Sequence, residues 1–283
     1  MTSRLRVHHV SRYAYDQPVS VSFNEARLTP LATRWQLPLE SVLVIAEATW
    51  QHSYVDYWGT RVRVFEAQRP HEDLVVDATS VVEIDASRQP EPRTDTSWAD
   101  VRAGAVLDRS AEYLVQTRST EPDPELSALA EETAARHTPH ETALALCTRL
   151  HDAMTYVPGS TGVHTAASEA WSARTGVCQD YAHLVVGALR QVGVPARYVS
   201  GYLHPKNSEA VVGETVVGES HAWVEWWLGE WFAHDPTNDV RVGERHVIVG
   251  RGRDYTDVPP IKGIIGGSAS STLDVSVEVT RLA

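Results

Sequence analysis

From its start to about residue 88 the chain alternates apolar and polar side chains with a period of two. The segments "LRVHHVSRYAY", "VSVSFNEARLTP", "LESVLVIAEATW", "QHSYVDYWGTRVRVFEA" and "DLVVDATSVVEID" carry the pattern. Successive side chains of a strand point to opposite faces, so this spacing gives a sheet one buried face and gives a helix no continuous stripe. Val, Ile, Thr and aromatic residues fill the segments, and Pro, Gly or Asp mark the breaks. The reading is an antiparallel β region of five or so strands, a sandwich or a curled sheet.

The pattern stops at "RQPEPRTDTSW", which reads as a linker and a domain boundary. Beyond it, "SWADVRAGAVLDRSAEYLVQ" and "DPELSALAEETAARH" have helical spacing, the second opening on Asp123 and Pro124. "TPHETALALCTRLHDAMTYV" follows with Thr138 as N-cap, Pro139 at the first helical position and Glu141 closing a capping box. Leu146, Leu150 and Met154 share one face with Cys147 beside them, so Cys147 is expected in the core. Ala182, Val185, Val186 and Leu189 predict a helix from about Cys178 to Val192, stopped by Gly193 and Pro195. "ARYVSGYL", "SHAWVEWWLGEWFAHD", which folds back at Gly229, and "LDVSVEVTRL" read as strands. The expectation is an α+β fold: an N-terminal antiparallel β domain over 1–88, a linker with covering helices over 89–135, and a core over 136–283 ending in a strand.

With 283 residues, a net charge of -12 and no basic run, the chain is not expected to partner nucleic acid. Its longest apolar runs are about half a membrane span and "MTSRLRVHHVSRY" has no apolar signal core, so we expect no membrane partner and a cytoplasmic protein. Two cysteines 31 positions apart make no disulfide framework, and reduced thiols are expected.

Those two cysteines differ in setting. Cys147 lies mid-helix, whereas Cys178 opens a helix directly after "TG", where the N–H groups of the first turn lack intrahelical partners. The positive end of a helix and a neighbouring imidazolium both favour a thiolate, and the same N–H groups can receive an oxyanion. Of 13 histidines, His221 is set apart by starting the strand "HAWVEWW", whose hairpin partner ends in "HDPTN". A three-residue loop from Leu228 to Glu230 pairs Trp227 with Trp231 and makes Asp235 the diagonal neighbour of His221 on one face. A five-residue loop sets them directly opposite, and a two-residue turn sends them to opposite faces. His234 has the wrong parity for this face.

"GVCQDYAHL", "GVPARYVSGYL", "SHAWVEWW" and "HDPTND", in that order, resemble the core of the transglutaminase-like superfamily, papain-type cysteine enzymes with a Cys-His-Asp triad. "GRGRDYTDVPPIKGIIGG" and "HHVSRYAYDQPVS" resemble its bacterial branch with an N-terminal β region. The resemblance implies a papain/transglutaminase-like core with the catalytic cysteine at a helix N-terminus packed on an antiparallel sheet. It implies Cys178 as nucleophile, His221 as general base and then acid, and Asp235 as the residue holding the imidazole. The implied reaction is attack on a peptide or glutamine-type amide to give a thioester, released by water in a hydrolase or passed to an amine in a transglutaminase. A module that only binds proteins is the non-catalytic alternative, and three intact triad residues argue against it.

Around this core, Trp171 and Tyr156 are candidates for a second oxyanion donor or for packing against the catalytic helix. Gln179 and Asp180 either contact substrate or favour the helix dipole, with Asp180 turned away from the sulfur. Trp223 and Trp227 share the face of His221 and either line an acyl-donor groove or stabilise the sheet. "DVPPIKGIIGG" reads as a loop over or beside the cleft. No EF-hand spacing is present, and one cysteine with one histidine falls short of a zinc site, so no metal or cofactor is expected. The expected partners are a peptide or protein acyl donor and, in the transferase reading, an amine acceptor.

Overall fold

The computed structural model describes residues 2–91, 94–205 and 211–283. The alternating segment forms six strands: β1 (Thr2–Val19), β2 (Ser22–Ala26), β3 (Gln36–Ile45), β4 (Trp50–Val55), β5 (Arg61–Ala67) and β6 (His71–Asp85). Short helices α1 (Trp98–Val101) and α2 (Gly104–Ser110) follow, then α3 (Pro124–Ala134) and α4 (Pro139–Ala153). Asp123 caps α3, and Thr138 and Glu141 close the expected capping box on α4. Strand β7 (Thr155–Tyr156), helix α5 (Ala167–Ala173), strand β8 (Thr175–Gly176) and helix α6 (Cys178–Gln191) come next. The remainder is β9 (Ala196–Leu203), β10 (Thr215–Val217), β11 (Glu219–Trp227), β12 (Trp231–Asp235), β13 (Val240–Arg241), β14 (His246–Gly252), β15 (Ile261–Ile265) and β16 (Ser271–Arg281).

The sheets do not follow the linear division of the chain. One has the order β10-β16-β1-β6-β3, a second β15-β2-β5-β4, and a third β13-β12-β11-β9-β14. β16 runs antiparallel along β1 from Leu5 opposite Arg281 to Tyr15 opposite Ser271. The expected 136–283 unit therefore gives three strands to the two sheets of the N-terminal region. The physical reason is the unpaired edge that β1 and β2 would otherwise present. The segment expected as a loop beside the cleft is partly strand β15, paired with β2.

α6 is the centre of the helical lobe. Twelve of its fourteen residues are buried, so it is covered on all sides and not along a single stripe. Leu184, Val185 and Leu189 share a core with Leu146 and Leu150 of α4 and with Val224 and Trp226 of β11. At its C-terminal end the buried Arg190 guanidinium donates to the carbonyls of Val115 (2.9 Å), Ala196 (2.9 Å) and Arg253 (2.7 Å), tying three segments to the helix. A second core joins Leu5, Val7, Val277 and Val279 of the N-terminal sheet to Tyr202 and Val247 of the β9–β14 sheet. That contact seats the N-terminal sheet against the strands that carry the site.

Candidate active site

The approach to Cys178 is built from short pieces. α5 ends at Arg174 in a left-handed conformation, and β8 then runs parallel to β7, pairing Tyr156 with Gly176. Asp180 Oδ2 accepts the Val177 N–H at 2.7 Å and the Thr161 hydroxyl at 2.6 Å. This ties the carboxylate to groups other than the sulfur. Gly176 is required for room: a Cβ there would lie 2.8 Å from Asp180 Oδ2. The backbone N–H groups of Cys178 and Gln179 have no acceptor among the described residues, as expected for the first turn of a helix. Cys178 itself is partly exposed, whereas Cys147 is fully buried and its thiol is pushed up by burial.

The β11–β12 hairpin has the three-residue loop, with Trp227 opposite Trp231 and Val224 opposite His234. Gly229 supplies the left-handed position, at φ +86°. This register puts His221 and Asp235 on one face, with His221 Nε2 2.8 Å from Asp235 Oδ2. The other ring nitrogen, Nδ1, is left for the hydrogen bond to Cys178. Burial works against charge on His221, but the bonds to Asp235 and Cys178 outweigh it and push the imidazole up to about 10. Burial disfavours charge on Asp235 too and would raise its carboxyl, yet the bonds from His221 and His246 hold it well below the usual carboxylate range. His234 bonds Asp239 at 2.9 Å instead.

Two partners of Asp235 escaped the sequence reading. His246, at the start of β14, has Nδ1 accepting from Gly243 N–H at 3.3 Å, so its Nε2–H is the side that meets Asp235 Oδ2 at 3.2 Å. Burial holds this imidazole below its ordinary value, in the neutral form the tautomer requires. Asn238 donates its side-chain amide to the same oxygen at 2.7 Å, and the N–H groups of Thr237 and Asn238 bond Oδ1. Nothing in the sequence sets His246 apart from the other histidines, because its place beside Asp235 depends on β14 pairing with β9.

Cys178 and His221 open into a cavity of about 250 Å³ lined also by Gln179, Tyr198 and Tyr255. Gln179 donates to the Val163 carbonyl at 3.3 Å. Tyr156 is held beside the site by β7–β8 pairing; its hydroxyl bonds Glu219, and burial together with the sulfur pushes it up to about 12. Of the two readings of Trp171, packing holds and donation does not: its ring lies in the helical core with Leu184 of α6, under the Arg174 guanidinium, and Nε1 has no partner among the described residues. Trp223 is fully buried, edge-on to His246, so it is a packing residue and not a groove wall. The N-terminal sheet reaches the same cavity through His9, Ser11 and Tyr13 of β1.

His221, Asp235 and His246 bring three potential ligand atoms within 4.8 Å of one another, a set that does not include Cys178. Their hydrogen bonds account for the cluster without an ion.

Residues 127–236 match the family model described as the transglutaminase-like superfamily, and residues 5–83 match the bacterial transglutaminase-like N-terminal region. An uncharacterized protein of Mycobacterium leprae is 44% identical over 99% of both chains. One from Mycobacterium tuberculosis is 35% identical over 98% of this chain and 93% of its own. A protein-glutamine gamma-glutamyltransferase of Pseudomonas aeruginosa is 30% identical over 155 residues, 51% of this chain and 23% of that protein. A solved structure from Cytophaga hutchinsonii, described as a candidate cysteine protease, has the same fold: TM-score 0.79, 24% identity, all of this chain and 92% of that one covered.

Proposed function

Since the chain belongs to the transglutaminase-like superfamily, we propose that it is a cysteine-dependent hydrolase of peptide or glutamine-type amides, acting through a thioester on Cys178. The observation that carries the reading is the continuous contact from Cys178 through His221 to Asp235 at the mouth of one cavity.

The sulfur attacks the amide carbon and the carbonyl electrons pass to oxygen. The unpartnered N–H groups of Cys178 and Gln179 receive that oxyanion. His221, held protonated by Asp235, gives its proton to the leaving nitrogen as the C–N bond breaks, and ammonia or an amine departs. Neutral His221 then takes a proton from water, whose oxygen displaces the sulfur and yields the acid. Asp235 orients the ring and carries no proton itself.

Water is favoured over an amine acceptor because no Asp or Glu among the described residues lines the cavity to draw an alkylammonium group. The test offers a glutamine-containing peptide with and without an excess of a labelled primary amine, followed by mass spectrometry. Loss of ammonia with gain of acid supports the proposal. Amine incorporation outpacing hydrolysis makes the protein a transglutaminase, and no turnover with an unreactive Cys178 makes it a binding module.

A further inference from the structure

The inward face of β1 breaks its own rule. Ser3, Leu5, Val7, His9 and Ser11 alternate as buried positions, and this face packs Leu5 and Val7 against apolar residues. Two polar side chains then follow in succession, His9 at 1% exposure and Ser11 at 3%. Polar residues at buried strand positions cost stability unless they are paired and used.

They are paired in a line. His9 Nδ1 lies 3.0 Å from the Tyr202 hydroxyl, and His9 Nε2 lies 2.8 Å from Ser11 Oγ. Tyr202 has no other hydrogen-bond partner among the described residues, so its buried O–H must donate to His9 Nδ1. That choice sets the ring: Nε2 carries the proton and donates to Ser11 Oγ. The Ser11 proton is then left without an acceptor among the described residues, and Ser11 lines the cavity that contains Cys178. Burial, with His8 nearby, lowers His9 to about 4, which keeps the ring neutral and the line intact at ordinary pH.

Among the described residues the lining includes no Asp, Glu, Lys or Arg, and His221 is its one cationic group. Tyr13, Leu273, Val275 and Ile261 supply the apolar wall opposite the catalytic strands. A carboxylate or ammonium entering here would lose water and gain no fixed countercharge beyond the catalytic imidazole.

We propose that Ser11, oriented by Tyr202 through His9, is a substrate-binding donor that holds a carbonyl oxygen of an uncharged, amide-bearing acyl donor across from Cys178. The N-terminal β region is thereby one wall of the active site. The inference deepens the proposed function and rests on Cys178 being its nucleophile.

The experiment uses three chloroacetamides of matched length, bearing an acetamide, a plain alkyl group or a carboxylate, and measures the rate at which each alkylates Cys178 in the full chain. The expected order is acetamide fastest, by about tenfold over alkyl, the scale of one hydrogen bond in a closed site, with the carboxylate slowest. Ser11→Ala is expected to cut the acetamide preference to about twofold or less, and Ser11→Thr to retain it. Tyr202→Phe leaves Ser11 in place and removes only what orients its proton, so it lowers the preference partway and serves as the second variant should Ser11→Ala fail to fold. An undiminished preference in Ser11→Ala or Tyr202→Phe overturns the inference while the reactive thiol preserves the proposed function. A Cys178 that reacts no faster than a simple thiol overturns both.

Discussion

His246 Nε2 lies 3.2 Å from Asp235 Oδ2, the same oxygen that meets His221 Nε2 at 2.8 Å. Two histidines thus converge on one carboxylate oxygen, one charged and one neutral. A carboxylate bonded from several sides has a single orientation, and its grip on His221 depends on that orientation. His246 is therefore a positioning residue. His246→Phe is expected to lower kcat about tenfold or more and to move the basic limb of the pH profile downward, because Asp235 is freed to turn from His221. His246→Gln, which can still donate, should recover most of both. A purely structural role for His246 would lower thermal stability in both variants and leave the pH profile where it was.

The two thiols should separate by reactivity. Cys147 is fully buried in the helical core and its thiol is pushed up by burial, so alkylation there waits for opening of the structure. Cys178 is partly exposed at a helix N-terminus beside a protonated imidazole. Iodoacetamide is expected to modify Cys178 at least about 100-fold faster in the folded protein. Cys178→Ala should abolish turnover and leave the circular dichroism spectrum unchanged. Equal labelling of both cysteines under native conditions would remove the basis for a nucleophile.

What was legible in the chain was local. Cys178 at a helix start needed only "TG" and the apolar stripe behind it, and His221 with Asp235 needed only the length of one hairpin loop, which Gly229 selects. What was not legible arrives through pairings of distant segments. His246 reaches Asp235 because β14 joins β9, and His9 and Ser11 reach the cavity because β1, closed on its other side by β16, packs on the catalytic strands. Local periodicity carries no information on which strands become neighbours. Trp171 shows where sequence leaves two readings open: seven positions before Cys178 it could donate to an oxyanion or pack against the helix that Cys178 opens, and the packing of α5 on α6 puts its ring in the helical core.

Glu225 gives an acid-stability prediction. It is fully buried between Arg197 and Arg251, the latter bonding it at 2.9 and 3.1 Å. Burial alone would raise its carboxyl, but the two guanidinium groups outweigh that and bring it to about 2. A carboxyl held below its unfolded value contributes stability that is complete above about pH 4.5 and fades as the pH falls toward 2, on the order of 3 kcal/mol. Glu225→Gln is expected to be less stable at pH 7, and the difference from the parent should shrink as denaturant midpoints are measured from pH 5 down to pH 2. A constant difference across that range would show that the ionised form contributes nothing.

The protonation of His221 has the opposite sign. Burial disfavours its charge, but the hydrogen bonds to Asp235 and Cys178 overcome this and carry it from 6.5 to about 10. A group raised on folding stabilises fully below its unfolded value and loses that contribution as the pH rises through the folded one. In the proposed reaction the protonated ring is also the acid that releases the leaving nitrogen. Activity on an amide should therefore persist through pH 8 and fall near pH 10, whereas the contribution to stability fades from about pH 6.5 upward and is gone above about pH 10. Asp235→Asn removes the largest of the raising influences while keeping the shape, so its basic limb should move toward 6.5 and its kcat should fall by at least about 100-fold. Profiles of kcat/KM against pH for the two proteins decide the point: a parent limb already near 6.5 would mean that Asp235 does not hold His221 in its charged form.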